Sequence, residues 1–210
     1  MASVLFSATL VRMNWVIVGL GNPGEEYTST RHNAGRMALE YIAEKRSDVQ
    51  WKIDKSAKAT VLKTEIGTNK AVFVLPDTYM NKSGSAVLKY VKSVKAAERM
   101  IVVYDDLDLP LGTIKVSFNR GSGGHKGVES IMRAVKTKMF TRIRIGVSRS
   151  TSSGKIKKPD GEDEVIDYIL AKFKPAEVIE LKKIFKTTSD IIECVMSEGH
   201  ERAMNVFNTK

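Results

Sequence analysis

The chain has little cysteine and no long apolar run. Only one of its 210 residues, Cys194, is a cysteine. No disulfide can therefore form within the chain, and we expect a reducing compartment and a cytoplasmic location. No apolar stretch approaches the ~20 residues that a membrane-spanning helix requires, so we expect no membrane insertion. Internal repeats are absent as well, which excludes a solenoid or a propeller.

Acidic residues are also in short supply. The chain has 34 Lys and Arg against 24 Asp and Glu, a formal net charge of +10. A surplus of this size indicates a polyanionic partner such as nucleic acid or an anionic membrane. A Lys-rich surface that only aids solubility explains the charge equally well, so composition alone leaves both interpretations open.

Residues 1–13 are expected to be an extension outside the fold. They contain an apolar patch with no charge ahead of it, which differs from the layout of a signal peptide. They also contain Arg12 and no acid, so targeting to an organelle stays open, and Met13 is a possible second start. Residues 14–210 are expected to form one domain, because this length is enough for a single full core.

The hydrophobic pattern predicts alternating strands and helices. Strands are predicted at 15–20, 59–66, 71–75, 100–105, 113–118 and 142–147. Helical stripes begin at Ala34, at Val87 (with Tyr90, Val91 and Val94), at Val128 and near Pro175. Hairpins mixed with β-α-β units predict one α/β domain with helices on both faces of the sheet. The polar, Gly- and Pro-containing stretch 148–164 is predicted to be a mobile surface flap.

A glycine motif follows the first predicted strand. Gly19, Gly21 and Gly24 form the G-x-G-x-x-G pattern of a dinucleotide-binding turn. That turn requires a helix to begin within the pattern. Here Pro23 precedes the third glycine, and helical periodicity begins only near Asn33. A dinucleotide site is therefore disfavoured, and the glycines indicate a loop that lines the ligand crevice at the carboxyl end of a strand.

Polar side chains follow three further predicted elements. Each set alone is explained by a helix cap or a solvated turn, but their joint occurrence at neighbouring ends predicts a functional site. A glycine-rich loop that carries His125 and Lys126 can also offer backbone N–H groups to an anion. The loop after the first strand carries Asn22, Arg31, His32 and Asn33. The three further sets are Tyr79, Met80 and Asn81; Asp105, Asp106 and Asp108; and His125 and Lys126.

Five motifs in order resemble those of the bacterial-type peptidyl-tRNA hydrolases. They are VGLGNPGEEYTSTRHNAG, LPDTYMNKSG, VVYDDLDLPLG, GSGGHKG and RIRIGV. The resemblance runs from about residue 15 to the C-terminus. It implies a mixed, twisted β-sheet surrounded by helices. It also implies a monomeric enzyme without metal or cofactor that cleaves the ester between a peptide and tRNA, with peptidyl-tRNA as its partner.

The resemblance also implies a role for individual residues. His32 is the base that activates water, a task for which a side chain that titrates near neutrality is suited. Asp105 accepts from the other ring nitrogen and stabilises the imidazolium as it forms. Asn22 and Asn81 hold the peptide main chain and the water, since an amide offers a donor and an acceptor without charge.

Further residues are expected to bind the substrate. Tyr27 and Tyr79 match positions that contact the tRNA end, where a ring can stack on a base. Arg144 matches a position that binds a tRNA phosphate, and Met80 and Lys126 are also placed at the substrate. The sequence departs from the family pattern at two positions. Lys126 replaces the usual Asn, and Ser117 replaces a lysine that usually partners the arginine. Lys115 or Arg120 is the candidate substitute for that lysine.

Two alternatives belong to other functional classes. The first is a tRNA- or RNA-binding module without catalysis, which the joint presence of Asn22, His32, Asn81 and Asp105 disfavours. The second is an α/β enzyme that uses a dinucleotide, which the late start of the first helix disfavours. Turnover of N-blocked aminoacyl-tRNA separates catalysis from binding alone.

Overall fold

A computed structural model describes residues 14–47, 49–151 and 155–208. These residues form one α/β domain with eight strands and seven α-helices. The prediction of a single domain of this class is confirmed. The predicted extension at residues 1–13 lies outside the described residues. None of the helices within the described ranges combines the length and the apolarity that crossing a membrane requires.

The eight strands form one mixed sheet. They are β1 (Asn14–Gly19), β2 (Lys52–Asp54), β3 (Ala59–Ile66), β4 (Asn69–Pro76), β5 (Met100–Pro110), β6 (Ile114–Phe118), β7 (Thr141–Ser150) and β8 (Ile156–Lys157). Their order is β2-β3-β4-β1-β5-β7-β6, with β8 against the end of β7. The central strands β4, β1, β5 and β7 run parallel. Their carboxyl ends therefore lie at one edge of the sheet, where α/β proteins build their sites.

Seven helices cover both faces of the sheet. They are α1 (Ala34–Glu44), α2 (Ser83–Val87), α3 (Val94–Ala97), α4 (Lys126–Val135), α5 (Glu162–Leu170), α6 (Pro175–Glu198) and α7 (His200–Phe207). Alternate residues of β1 point to opposite faces. Trp15 and Ile17 belong to a core with α1, α6 and α7, whereas Val16 and Val18 belong to a core with α2 and α4. The predicted packing of helices on both faces is thus confirmed.

The predicted helix through Val87, Tyr90, Val91 and Val94 is wrong in its extent. The structure has the short α2, which ends at Val87, and the short α3, which begins at Val94. The Ser93 side chain accepts from the Ala96 N–H and starts α3 anew. Val87 and Val91 are both buried, so the apolar spacing reflects burial of a turn rather than one continuous helix.

Of the segment 148–164, predicted to be a flap, the structure describes residues 148–151 and 155–164, and residues 152–154 lie outside the described residues. Its first three residues belong to β7, and Ser148 is buried with its hydroxyl donating to the Leu107 carbonyl at 2.7 Å. Residues Ile156–Lys157 form β8, and Glu162 begins α5. Whether the middle of this segment moves over a ligand stays a prediction.

The helix α5 was not predicted. Its first turn is polar, so the apolar residues that follow do not form a recognisable helical pattern.

Candidate active site

The glycine loop brings Asn22 and His32 to the carboxyl edge of the sheet. After β1 the chain forms two single 3-10 turns, Glu25–Tyr27 and Arg31–Asn33, and α1 begins at Ala34. A Cβ at Gly21 would lie 2.9 Å from the Asn33 Cγ, so only glycine permits this approach. The glycines therefore serve loop packing, and no helix begins within the motif to receive a pyrophosphate.

His32, Asp105 and His125 form a buried cluster. The His32 Nδ1 lies 3.0 Å from Asp105 Oδ2, and the His125 Nε2 lies 3.0 Å from Asp105 Oδ1. Asp105 lies in β5, the strand next to β1, which places its carboxylate beside the loop that carries His32. The sequence predicted the contact of His32 with Asp105 but not that of His125.

The two histidines differ in whether a ring nitrogen is free. The His125 Nδ1 accepts hydrogen bonds from the Gly127 and Val128 N–H groups at the start of α4. Its proton must therefore sit on Nε2, which donates to Asp105. The Nε2 of His32 has no partner among the described residues, and His32 lines a cleft. His125 itself accepts from two N–H groups of the first turn of α4. Whether the glycine-rich loop before it offers N–H groups to an anion stays a prediction.

Asp105 is ionised in this environment. Burial on its own would raise the pKa of the carboxyl, but charge interactions and hydrogen bonds with His32 and His125 outweigh it. The pKa of Asp105 is therefore held below its ordinary range. A carboxylate that stays charged when 3% exposed can stabilise a positive charge on a neighbouring imidazole, which is the property that general-base chemistry requires.

Asn22 is held with its side-chain amide nitrogen, Nδ2, free of hydrogen bonds to the described residues. The Asn33 side chain pairs with both the N–H and the carbonyl of Asn22, at 2.8 and 2.9 Å. The Asn22 Oδ1 accepts from the Met80 N–H at 2.9 Å, which assigns the other amide atom as Nδ2. That Nδ2 makes no hydrogen bond within the described part of the chain, so it can donate to a ligand.

The other residues predicted to bind substrate have varied exposure. Tyr79 is 61% exposed and Asn81 is exposed beside it, whereas Tyr27 is half-buried. Met80 is buried, and an added Cβ on Gly127 would meet its sulfur at 2.4 Å. The Met80 side chain therefore packs in the core, and its backbone N–H orients Asn22.

A cleft of about 180 Å³ opens over the cluster. His32, Asp105 and His125 lie at its base, and Ile166 and Ile169 of α5 form part of its wall. At the mouth, the Lys126 ammonium lies 3.0 Å from a Glu162 carboxylate oxygen, and both side chains are exposed. Lys126 is thus engaged with α5.

A basic cavity of about 470 Å³ lies next to this cleft. It contains Arg144, whose Nε donates to Asp106 at 2.6 Å. Hydrogen bonding to Asp106 raises the pKa of Arg144 even though burial alone would lower it. The Ser117 hydroxyl and the Arg142 Nε are buried without a partner among the described residues. The cationic side chains that line the cavity are those of Lys115, Arg120, Arg142 and Arg144.

One cluster in the described ranges has the spacing of a metal site. The potential ligand atoms of His32, Asp105 and His125 lie within 4.8 Å of one another. The His32 Nδ1 and the His125 Nε2 each share a hydrogen bond with an Asp105 oxygen. A metal ion would have to displace those protons, so the donor set fits a proton-transfer site better than a metal centre.

Comparison with known proteins decides the family. The family model described as peptidyl-tRNA hydrolase matches residues 16–210. The chain belongs to this family. It is 38% identical to the peptidyl-tRNA hydrolase of Sulfurihydrogenibium sp., with 91% of this chain and 96% of that protein covered. Identity to the Aquifex aeolicus enzyme is also 38%, over 92% of this chain and 95% of the relative. The predicted family is confirmed.

A solved member of the peptidyl-tRNA hydrolase family has the same fold. The crystal structure of the Acinetobacter baumannii protein superposes with a TM-score of 0.81 at 30% identity, covering 93% of this chain and 94% of that one. The element order and mixed sheet described above are therefore those of a known peptidyl-tRNA hydrolase fold.

Two residues of the site were not assigned a role from the sequence. Asn33 holds the Asn22 peptide, and Arg31 is 1% exposed with a Glu177 carboxylate oxygen 2.8 Å away. Both lie in the same motif as His32. The partner of Asn33 also lies in that motif, whereas Glu177, the partner of Arg31, is 146 positions away. Three consecutive polar residues are typical of an exposed turn, so the sequence does not predict that Arg31, His32 and Asn33 are buried.

Proposed function

We propose that this protein hydrolyses the ester bond between peptide and tRNA in peptidyl-tRNA, using a water activated by His32. The observation that carries the proposal is the arrangement of the His32 ring. Its Nδ1 contacts an ionised Asp105, while its Nε2 is free and His32 lines the cleft. Family membership supports the substrate.

His32 acts as the general base in this proposal. Water lies at Nε2 and attacks the ester carbonyl carbon as Nε2 takes its proton. The imidazolium is stabilised by Asp105, whose position is fixed from the other side by His125. The proton then passes to the ribose oxygen as the ester C–O bond breaks. The products are tRNA with a free hydroxyl and a peptide with a free carboxylate.

Two asparagines bind the peptide next to the ester. The free Nδ2 of Asn22 donates to a peptide carbonyl, and its orientation is already set by Met80 and Asn33. The exposed Asn81 follows Met80 directly and can supply a second amide. Such contacts favour a substrate with an acylated amine over one whose amine is free and charged.

The tRNA lies along the basic cavity beside the cleft. Arg144 and Arg142 provide guanidinium groups, and Lys115 and Arg120 line the same cavity. These two side chains can take the role of the lysine that Ser117 replaces. Tyr79, exposed near the cleft, offers a ring on which a base of the tRNA end can stack.

The direct test is release of tRNA from an N-acetylaminoacyl-tRNA, measured with and without EDTA. We expect turnover in both conditions. Turnover that EDTA abolishes and that returning a divalent cation restores contradicts the metal-free mechanism. The cationic cavity also suits an RNA-binding module without catalysis. Tight tRNA binding with no tRNA release by the purified wild-type protein would support that second function instead.

A further inference from the structure

Arg31 directly precedes His32 and is enclosed by protein. Its side chain is 1% exposed. One terminal nitrogen donates to the Ala171 and Lys172 carbonyls at 3.1 and 3.0 Å. The other donates to both carboxylate oxygens of Glu177, at 2.9 and 2.8 Å. Hydrogen bonds from both terminal nitrogens, in different directions, together fix the plane of the guanidinium as well as its position.

Backbone contacts join the same two segments. The Arg31 N–H donates to the Ala171 carbonyl at 3.1 Å, and the Phe173 N–H donates to the Ser29 carbonyl at 2.9 Å. Thr30 and Lys172 form an isolated β-bridge between them. The turn that carries His32 is therefore attached to the connection between α5 and α6 by main chain and side chain together.

The helix before this connection, α5, forms part of the cleft wall. Ile166 and Ile169 of α5 line the cleft with His32. Between them, Tyr168 has its ring centroid 4.8 Å from the Arg31 guanidinium carbon, and its hydroxyl donates to the Val147 carbonyl at 2.8 Å. Arg31 is thus the common contact of the His32 turn, of α5 and of the start of α6.

Burial of this ion pair points to geometry rather than to stability. The desolvation cost of burying two charges nearly cancels the free energy of their attraction. A buried apolar pair would therefore stabilise the fold about as well. Unlike an apolar residue, Arg31 forms directional hydrogen bonds. Four hydrogen bonds from two nitrogens fix the chain immediately before His32, whose Nδ1 must stay on Asp105.

We infer that Arg31 and Glu177 are positioning residues for His32. They hold the imidazole on Asp105 and couple its orientation to the docking of α5 on the cleft. The inference rests on the proposed role of His32 as the base. Neither residue lines the cleft, so both act through His32 rather than on the substrate.

Arg31→Lys is the main test variant. It keeps the charge, but one ammonium cannot reach two carbonyls and both Glu177 oxygens at once. We expect kcat for N-acetylaminoacyl-tRNA to fall roughly 10–10²-fold with KM little changed, as for a small displacement of a catalytic group. Glu177→Gln is a second variant. It keeps the shape of the side chain and one acceptor oxygen but removes the negative charge that pairs with Arg31.

Leu181→Ala is the matched control. Leu181 is fully buried in α6, one turn from Glu177, and has no contact with the Arg31 guanidinium among those described. Its loss should lower Tm as the test variants do but leave kcat near that of wild type at a temperature where all are folded. Equal losses of kcat in Leu181→Ala and in both test variants would overturn the inference, because that pattern is what general loosening of α6 produces.

Histidine NMR provides a readout that does not depend on activity. The chain has three histidines, so labelled histidine gives an assignable spectrum. We expect the His32 Nδ1 proton signal, hydrogen-bonded to Asp105, to shift or broaden in Arg31→Lys and Glu177→Gln but not in Leu181→Ala. Unchanged signals and unchanged kcat in both folded test variants overturn the inference. Absence of hydrolysis by wild type would count against the proposed function instead, and the NMR result would still decide the positioning role.

Discussion

At the scale of single residues, the cluster assigns different tasks to two histidines. His125 has both ring nitrogens engaged, one by Asp105 and one by the start of α4. His32 has one nitrogen engaged and one free. Of the two histidines, His32 alone can therefore accept a proton from water without first breaking a hydrogen bond. This difference supports the proposed role of His32 as the base and of His125 as a support for the carboxylate.

Asp105→Asn tests the role of the carboxylate in this cluster. The substitution keeps the shape of the side chain but removes the charge that stabilises the imidazolium and fixes the tautomer. We expect kcat to fall roughly 10²–10⁴-fold with little change in KM, measured by steady-state hydrolysis of N-acetylaminoacyl-tRNA. Asp190→Asn, an exposed site on α6, is the control and should retain wild-type turnover.

The same variant tests the ionisation of Asp105 through stability. Because the pKa of Asp105 is held below its ordinary range, the carboxylate stabilises the fold above about pH 4 and loses that effect as pH falls through the lowered pKa. The difference in Tm between wild type and Asp105→Asn should therefore narrow from about pH 5 to about pH 3. A difference that widens over this range contradicts an ionised Asp105.

Asn22→Ala tests recognition of the acylated amine. The variant removes the free Nδ2 that we propose donates to the peptide. We expect the ratio of rates on N-acetylated and free aminoacyl-tRNA to fall, because the lost contact favoured the acylated substrate. Asn205→Ala, on α7, is the control. Equal losses on both substrates, with the ratio unchanged, would mean that Asn22 does not discriminate.

Residue identity predicted part of this site. His32, Asp105 and Asn22 were found from motifs because their chemistry is visible in the sequence. The partners of Arg31 and His125 were not found, because each lies tens of positions away and is brought close only by the fold. The burial of Met80 was also missed, since a methionine beside an exposed tyrosine carries no sign of which one faces the core.

At the scale of elements, α5 is attached to the domain at several distinct points. Lys126 contacts Glu162 at its start, and Tyr168 near its end reaches the Val147 carbonyl. None of its residues is fully buried. Six of the eight strands, and α6, were predicted because their apolar residues recur at clear periods. The short strands β2 and β8 and the separate helix α7 were not predicted. Periodicity failed for α2, α3 and α5, where short length or a charged first turn obscures the pattern.

Hydrogen exchange tests the proposed flap over the peptide. The stretch 148–164 should exchange quickly in the free enzyme beyond the end of β7 and become protected when a non-hydrolysable peptidyl-tRNA analogue binds. Lys126→Asn should speed exchange at the start of α5 by less than about fivefold, since an exposed ion pair contributes at most about 1 kcal/mol. Lys183→Asn on α6 is the control for this pair. Equal exchange with and without the analogue would contradict the flap.

At the scale of the whole molecule, part of the positive charge is concentrated in one cavity. Four cationic side chains line the cavity next to the candidate active-site cleft, although composition alone could not distinguish a nucleic-acid-binding surface from a charged surface that only aids solubility. The cavity forms because β5, β6 and β7 bring together residues from separate segments, so its charge is a property of the sheet order rather than of any one motif.

Salt dependence tests the use of this cavity by tRNA. Each phosphate contact adds about 0.7–0.9 to the slope of log affinity against log salt. Arg144→Ala should flatten the slope by about that amount for one lost contact. Lys70→Ala, at the amino end of β4 on the opposite edge of the sheet, should leave the slope unchanged. The same flattening in both variants would indicate diffuse attraction instead of a defined contact.

The central claim is that His32 removes the proton from the attacking water. The most direct measurement compares single-turnover hydrolysis of N-acetylaminoacyl-tRNA by wild type and His32→Ala, with tRNA affinity and Tm measured on the same samples. We predict a rate lower by roughly 10²–10⁴-fold, with affinity retained and the protein folded. A folded His32→Ala protein that binds tRNA and hydrolyses the ester at close to the wild-type rate would contradict the account.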